Sequence, residues 1–180
     1  MVWNAERYSK HSKMQFNIGL ENIERLNPVI GESILDVGCG PGHLTEFILR
    51  IKGKNIPGPI IGIDYSKVAV KQAQKRIRDA SFLVGNALSL PFNDSSFKCV
   101  SCIETLEHVQ DPSLLVKELR RVTSEDGVII ICVPNGELDT WDGHQHFFRP
   151  DDLHKLFSGL QIIHEEYVNE DRAILMAFKR

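Results

Sequence analysis

Ile34-Leu35-Asp36-Val37-Gly38-Cys39-Gly40-Pro41-Gly42 is a short apolar run that holds one acid and then meets three glycines at every second position. A run of that length bounded by turn residues predicts a buried strand. The glycines let the chain take positive φ and bring bare backbone close to a ligand. A segment of helical period begins directly afterwards at 43–52, and the start of such a helix offers unpaired amides. The stretch therefore predicts a strand, a tight turn and a helix, with something polar lying on the turn. A glycine-rich turn of this kind is shared by several nucleotide-binding folds, but the dinucleotide spacing G-x-G-x-x-G is absent here.

Outward from this point, strand-length apolar runs alternate with longer segments of helical period, which predicts parallel strands joined by crossover helices. Strands are expected at 33–38, 59–65, 81–85, 97–103, 127–133, 161–168 and 172–179, and helices at 43–52, 66–79, 112–123 and 150–158. Asp111 and Pro112 form an N-cap and first-position pair ahead of Leu115, Leu119 and Val122 at i, i+4 and i+7. Only a few polar residues around Asn169, Glu170 and Asp171 separate the last two strands, too few for a crossover, so these strands should form an antiparallel hairpin. The expectation is an α/β, Rossmann-like, doubly wound and mostly parallel seven-stranded sheet ending in that hairpin. One domain spans 1–180, with an N-terminal helical cap over 1–30 (its helix from Ser9 to Leu26) and the core over 31–180.

The 180 residues are 42% apolar and 25% charged, ordinary for one globular domain. The formal net charge of -3 disfavours a dedicated nucleic-acid binder. No apolar run approaches the ~20 residues that cross a bilayer, and the polar start lacks signal-peptide order. Cys39, Cys99, Cys102 and Cys132 are sparse and lie in or beside strands, which fits reduced thiols and a cytoplasmic location.

The second strand ends in Ile63-Asp64 beside Tyr65, where a carboxylate can accept hydrogen bonds from both hydroxyls of a ribose. The third runs into Gly85-Asn86-Ala87 and then Leu90-Pro91-Phe92, and the fourth into Glu104-Thr105-Leu106-Glu107-His108. In this order the motifs resemble those of the class I S-adenosylmethionine-dependent methyltransferases, in particular the group with D-V-G-C-G-x-G, G-x-D, G-D-A with L-P-F, and E-x-x-E-H. The resemblance covers essentially the whole chain. It implies S-adenosyl-L-methionine as cofactor and S-adenosyl-L-homocysteine as product. It implies that Gly38, Cys39, Gly40 and Gly42 line the methionine part, that Asp36 sits near its amino group, that Asp64 with Tyr65 holds the ribose, and that Asn86 and Ala87 contact the adenine. Asn86 departs from the usual Asp, and its amide would have to turn its oxygen to the adenine amino group. Tyr8 and Gln15 lie in a segment similar to the Y-x-x-x-S-x-x-Q lead-in of related small-molecule enzymes, where they close over the cofactor.

On one helical turn Glu104, Glu107 and His108 would share a face. They can serve as a general base for the acceptor, with His108 and Glu104 the catalytic candidates, or hold a divalent metal. Metal-dependent small-RNA 2′-O-methyltransferases and ubiquinone-pathway O-methyltransferases resemble this chain here and carry a later histidine, which makes Glu104, Glu107, His108 and His144 the metal candidates. The group also uses E-x-x-E-H without metal, and the expectation is no metal. The favoured function is methyl transfer to a small-molecule O, N or C acceptor by a monomer or homodimer away from membranes. Alternatives are a metal-assisted RNA 2′-O-methyltransferase and a non-catalytic cofactor-binding regulatory module.

The remaining features read as structural. Cys99 and Cys102 stand three apart on a strand and face opposite sides, so they cannot share a metal. Lys67, Lys71, Lys75 and Arg78 form a solvated helical face. Trp141, Phe147 and Phe148 either wall an acceptor pocket or pack on their own domain.

Overall fold

A computed structural model describes residues 33–52, 58–168 and 170–180. The expected N-terminal helix, with Tyr8 and Gln15, lies outside the described residues. Among the described residues there are seven strands: β1 Ile34–Val37, β2 Ile60–Asp64, β3 Ser81–Val84, β4 Phe97–Ile103, β5 Thr123–Pro134, β6 Gln161–Val168 and β7 Ala173–Lys179. Four helices join them: α1 His43–Lys52, α2 Lys67–Arg76, α3 Pro112–Val122 and α4 Pro150–Leu156, and a short 3-10 turn covers Leu106–His108.

The strand order is β3-β2-β1-β4-β5-β7-β6. The first five strands run parallel, and β7 pairs antiparallel with both β5 and β6. All parallel strands therefore end at one edge, and the loops after β1, β2, β4 and β5 gather there. The turn of the β6–β7 hairpin places Glu170 and Asp171 at φ 52 and 65. Asp171 is of a type that visits the left-handed region more readily than most, whereas Glu170 is held there by the tight turn.

Helices cover both faces. On one, Leu35, Val37, Val100, Cys102, Ile129, Ile131, Met176 and Phe178 pack with Leu115, Leu119 and Leu153 from α3 and α4. On the other, Ile34, Cys99, Ile130, Cys132, Leu175 and Ala177 pack with Leu44 and Ile48 of α1. Cys99 and Cys102 thus sit on opposite faces, as their spacing requires. Lys67, Lys71, Lys75 and Arg78 are exposed.

Two boundaries differ from expectation by three residues or more, for local reasons. The helix expected to run to 79 ends at Arg76, because Ile77 turns extended at φ -119 and drops its side chain among Cys39, Val70 and Phe82. β5 begins at Thr123 rather than 127. Thr123 pairs with Phe97 while Val128 pairs with Cys99, so Ser124 to Gly127 bulge out of register.

Candidate active site

The expected cofactor residues from Asp36 to Ala87 sit together at the carboxyl edge of β1, β2 and β3. Gly38, Gly40 and Gly42 adopt φ of 76, 51 and 84, the left-handed region that favours glycine. Their surroundings differ. A Cβ on Gly38 would lie 2.0 Å from Thr105 Oγ1, and one on Gly42 would lie 2.7 Å from Ile77 Cδ1, so both positions are close-packed. A Cβ on Gly40 would meet nothing within 4 Å, which makes Gly40 the glycine with open space above it.

Asp64 anchors that loop. Its Oδ2 accepts from Gly40 N at 2.8 Å and its Oδ1 from Ser66 N at 2.7 Å. Each carboxylate oxygen has a second lone-pair direction, so this half-buried group can still accept from a ligand. Tyr65 beside it is 84% exposed. Asp36 is buried beneath the loop, where Thr45 Oγ1 donates to its Oδ2 at 2.8 Å and Ser101 Oγ to its Oδ1 at 3.3 Å. Burial pushes its carboxyl up to about 6 against the lowering effect of those two hydroxyls. The Cys39 side chain is buried with Val70, Ala73 and Phe82.

Asn86 is exposed and Ala87 half-buried. The Asn86 oxygen accepts from Leu88 N at 2.9 Å, an Asx turn. The amide oxygen is therefore turned to its own chain rather than outward, and the NH2 group remains to meet a ligand. The loop that carries it is braced by Arg121 and Glu118 of α3, which sequence reading missed. Arg121 donates to Phe92 O at 2.7 Å and Leu90 O at 3.0 Å, and Glu118 accepts from Leu90 N at 2.7 Å. Their E-x-x-R spacing on one helix face was the available signal.

The acceptor residues gather beyond β4. Glu104 takes φ 50 and stands just ahead of the 3-10 turn, so the single α-turn expected for residues 104–108 does not form. Glu107 and His108 converge all the same, with Glu107 Oε1 3.8 Å from His108 Nε2, while Glu104 is a charge neighbour of Glu107. The loop after β5 closes over them: Gln145 N and His146 N donate to Glu107 O at 2.9 and 3.3 Å, and Gln145 Nε2 donates to His108 O at 2.7 Å. His146 is spent on Val109 O at 2.9 Å, whereas His144 turns inward. Asn135 secures the base of this loop, with Leu138 N and Asp139 N donating to its carbonyl, and its own Nδ2 donating to Asp171 O at 2.8 Å. Trp141 packs edge-on against His108 and His144, at 5.6 and 4.5 Å between ring centres. Phe148 joins the core, and Phe147 is half exposed.

Glu104 and Glu107 are buried, and Glu104 Oε1 and both Glu107 oxygens make no hydrogen bond. Burial first, then Asp139, pushes Glu104 up to about 8; burial and Glu104 push Glu107 well up. Burial, then His144, pulls His108 down to about 4. At neutral pH His108 is uncharged, and the upward shifts favour the protonated form of the two carboxyls. Nitrogen and oxygen atoms of Glu107, His108 and His144 all lie within 4.8 Å of one another. This mixed carboxylate and imidazole set, with its orphaned oxygens, fits a divalent cation that would displace the protons.

Comparison with known proteins accords with this arrangement. The chain matches the family described as "Methyltransferase domain" over residues 35–131. It is 30% identical over 133 residues to demethylmenaquinone methyltransferase of Bacillus velezensis, covering 71% of this chain and 56% of that protein. It is 34% identical over 102 residues to norajmaline N-methyltransferase of Rauvolfia serpentina, covering 56% of this chain and 35% of that protein. The chain thus spans less than two thirds of the length of these curated relatives. A SAM dependent methyltransferase from Aquifex aeolicus has the same fold, with a TM-score of 0.81, 16% identity and 99% of each chain covered. The match across β1 to β5, with the glycine turn and its acid in place, puts the chain in the methyltransferase domain family, among the class I S-adenosylmethionine-dependent methyltransferases.

Proposed function

We propose that the chain transfers a methyl group from S-adenosylmethionine to a small-molecule acceptor held against Glu104, Glu107, His108 and His144. One observation carries the reading: Thr105, inside the E-x-x-E-H stretch, packs directly on Gly38, so the cofactor turn and the acceptor cluster share a wall. Gly38, Cys39, Gly40 and Gly42 receive the methionine part with Asp36 beneath them. Asp64 and Tyr65 take the ribose, and Asn86 and Ala87 the adenine. When bound, the cofactor supplies a methyl group already activated on a sulfonium, so the protein's task is mainly proximity and orientation. His108, uncharged at neutral pH, accepts the proton of an acceptor hydroxyl or amine, and Glu104 is the other catalytic candidate on the same loop. The relatives named above act on a demethylmenaquinone and an alkaloid, which supports a small ring-bearing acceptor over a nucleic acid. The same reading has a monomer or homodimer acting in the cytoplasm.

The test is transfer of a labelled methyl group to a panel of hydroquinones, phenols and amines, with 3′-terminal RNA alongside. The expected result is turnover on a small acceptor, with His108→Ala losing turnover while keeping cofactor affinity. Tight cofactor binding without transfer to any acceptor would favour a regulatory module instead.

The convergence of Glu107, His108 and His144 favours a second reading, in which these three hold a divalent cation; Glu104, outside that group, would have to turn toward it to give a fourth donor. The cation would bind and orient an acceptor oxygen. Chelator-sensitive turnover restored by magnesium, manganese or zinc supports this reading, and full activity in chelator removes it.

A further inference from the structure

Asp139, in the loop after β5, belongs to none of the motifs, yet it is placed with unusual care. Its Oδ1 accepts from Trp141 N at 3.0 Å, its own N–H donates to Asn135 O at 2.9 Å, and its Oδ2 is hydrogen-bonded to His144 Nδ1. The Asp139 side chain is 7% exposed and that of His144 is 4% exposed. This is an interior pair, not a surface one. A carboxylate can only accept, so Nδ1 carries the proton of a neutral His144 and Nε2 is left with a lone pair. That Nε2 lies 4.0 Å from Glu107 Oε1, and the His144 ring stands 4.9 Å from that of His108.

We propose that Asp139 is a positioning residue: by accepting the Nδ1 proton of His144 it keeps the Nε2 lone pair turned into the Glu107–His108 cluster. The inference rests on the proposed function only in giving that cluster work to do; the tautomer itself is a property of the unliganded protein. A neutral imidazole has one donor and one acceptor nitrogen, and its hydrogen-bond partner decides which is which. Without Asp139, His144 is free to put its proton on Nε2 and present a donor where the cluster needs an acceptor.

The decisive variant is Asp139→Asn, in which the side-chain oxygen continues to accept from Trp141 N. Its NH2 then faces His144 Nδ1, which must accept, and the proton moves to Nε2. A residue that only staples the loop would tolerate this change. The readout is the ring nitrogen spectrum of the full chain labelled with 15N-histidine, in chelator and without substrate, with the His144 signals identified by their loss in His144→Gln. The expected result is an Nδ1–H, Nε2-unprotonated His144 in the wild type and the reverse in Asp139→Asn. Turnover of the variant should fall about 10- to 100-fold, on the scale set by carboxylates behind metal-bound histidines, while the cofactor dissociation constant is unchanged. An Nε2–H tautomer in the wild type overturns the inference without recourse to any variant. So does an Asp139→Asn protein whose tautomer and turnover match the wild type. If no acceptor is turned over at all, the proposed function fails and the tautomer result still decides the role of Asp139.

Discussion

Asp64 holds two positions at once. Without a ligand it ties the glycine turn to the end of β2 through Gly40 N and Ser66 N, and it keeps lone pairs for a ribose. Asp64→Ala should weaken cofactor binding by about 1.5–3 kcal/mol, the range for hydrogen bonds to a charged group. Calorimetry showing wild-type affinity would take Asp64 out of the ribose site. Asp36 makes a different prediction, because its native carboxyl is raised from 3.8 to about 6. A raised group contributes stability that is complete below its unfolded value and is lost as pH climbs through the folded one. Stability should therefore fall between about pH 4 and pH 6 by on the order of 3 kcal/mol, taking roughly 1.4 kcal/mol for each of two units. Glu104 and Glu107, also raised, add to the fall above about pH 4.5, so Asp36→Asn should make that interval shallower in denaturant titrations, and an unchanged slope would assign all of the pH dependence to other groups. Both acids were legible in the sequence because a strand end or a glycine turn marks their place. Asp139, Glu118 and Arg121 were not, because their partners lie elsewhere in the chain and only folding brings them together.

At the level of elements, the β1 turn and the segment after β4 interlock through Thr105 and Gly38. Gly38→Ala must place a Cβ 2.0 Å from Thr105 Oγ1 at a φ of 76. The left-handed backbone costs roughly 1–2 kcal/mol and the overpacking roughly 1–3 kcal/mol, so chemical denaturation should show a loss of about 2–5 kcal/mol. Gly40→Ala pays only the backbone cost, since its Cβ meets nothing within 4 Å. Equal losses from the two substitutions would contradict the interlock. Strand and helix positions could be read from apolar period and caps, as at Asp111, whose carboxylate does accept from Leu114 N at 2.9 Å. The turn at Leu106–His108 could not, because the positive φ of Glu104 ahead of it comes from tertiary packing rather than from propensity.

For the molecule as a whole, alternation of strand and helix patterns was enough to predict the doubly wound sheet, and the short polar link predicted the closing hairpin. Which hairpin strand lies inside was also written in the residues. β7 is apolar along almost its whole length and runs between β5 and β6, whereas β6 carries His164, Glu165 and Glu166 at the sheet margin. The two-faced sheet has a further consequence for its four sulfhydryls. Cys102 lies in the layer under α3 and α4, Cys99 and Cys132 in the layer under α1, and Cys39 in the small cluster beside α2. Burial raises the Cys39, Cys102 and Cys132 thiols well beyond the ordinary range, so they hold almost no thiolate while the fold is closed. Alkylating reagents should find each of them only when its own layer breathes. Peptide mapping after timed exposure would then rank the layers by how readily they open, and uniform labelling within seconds would mean that these interiors are not sealed.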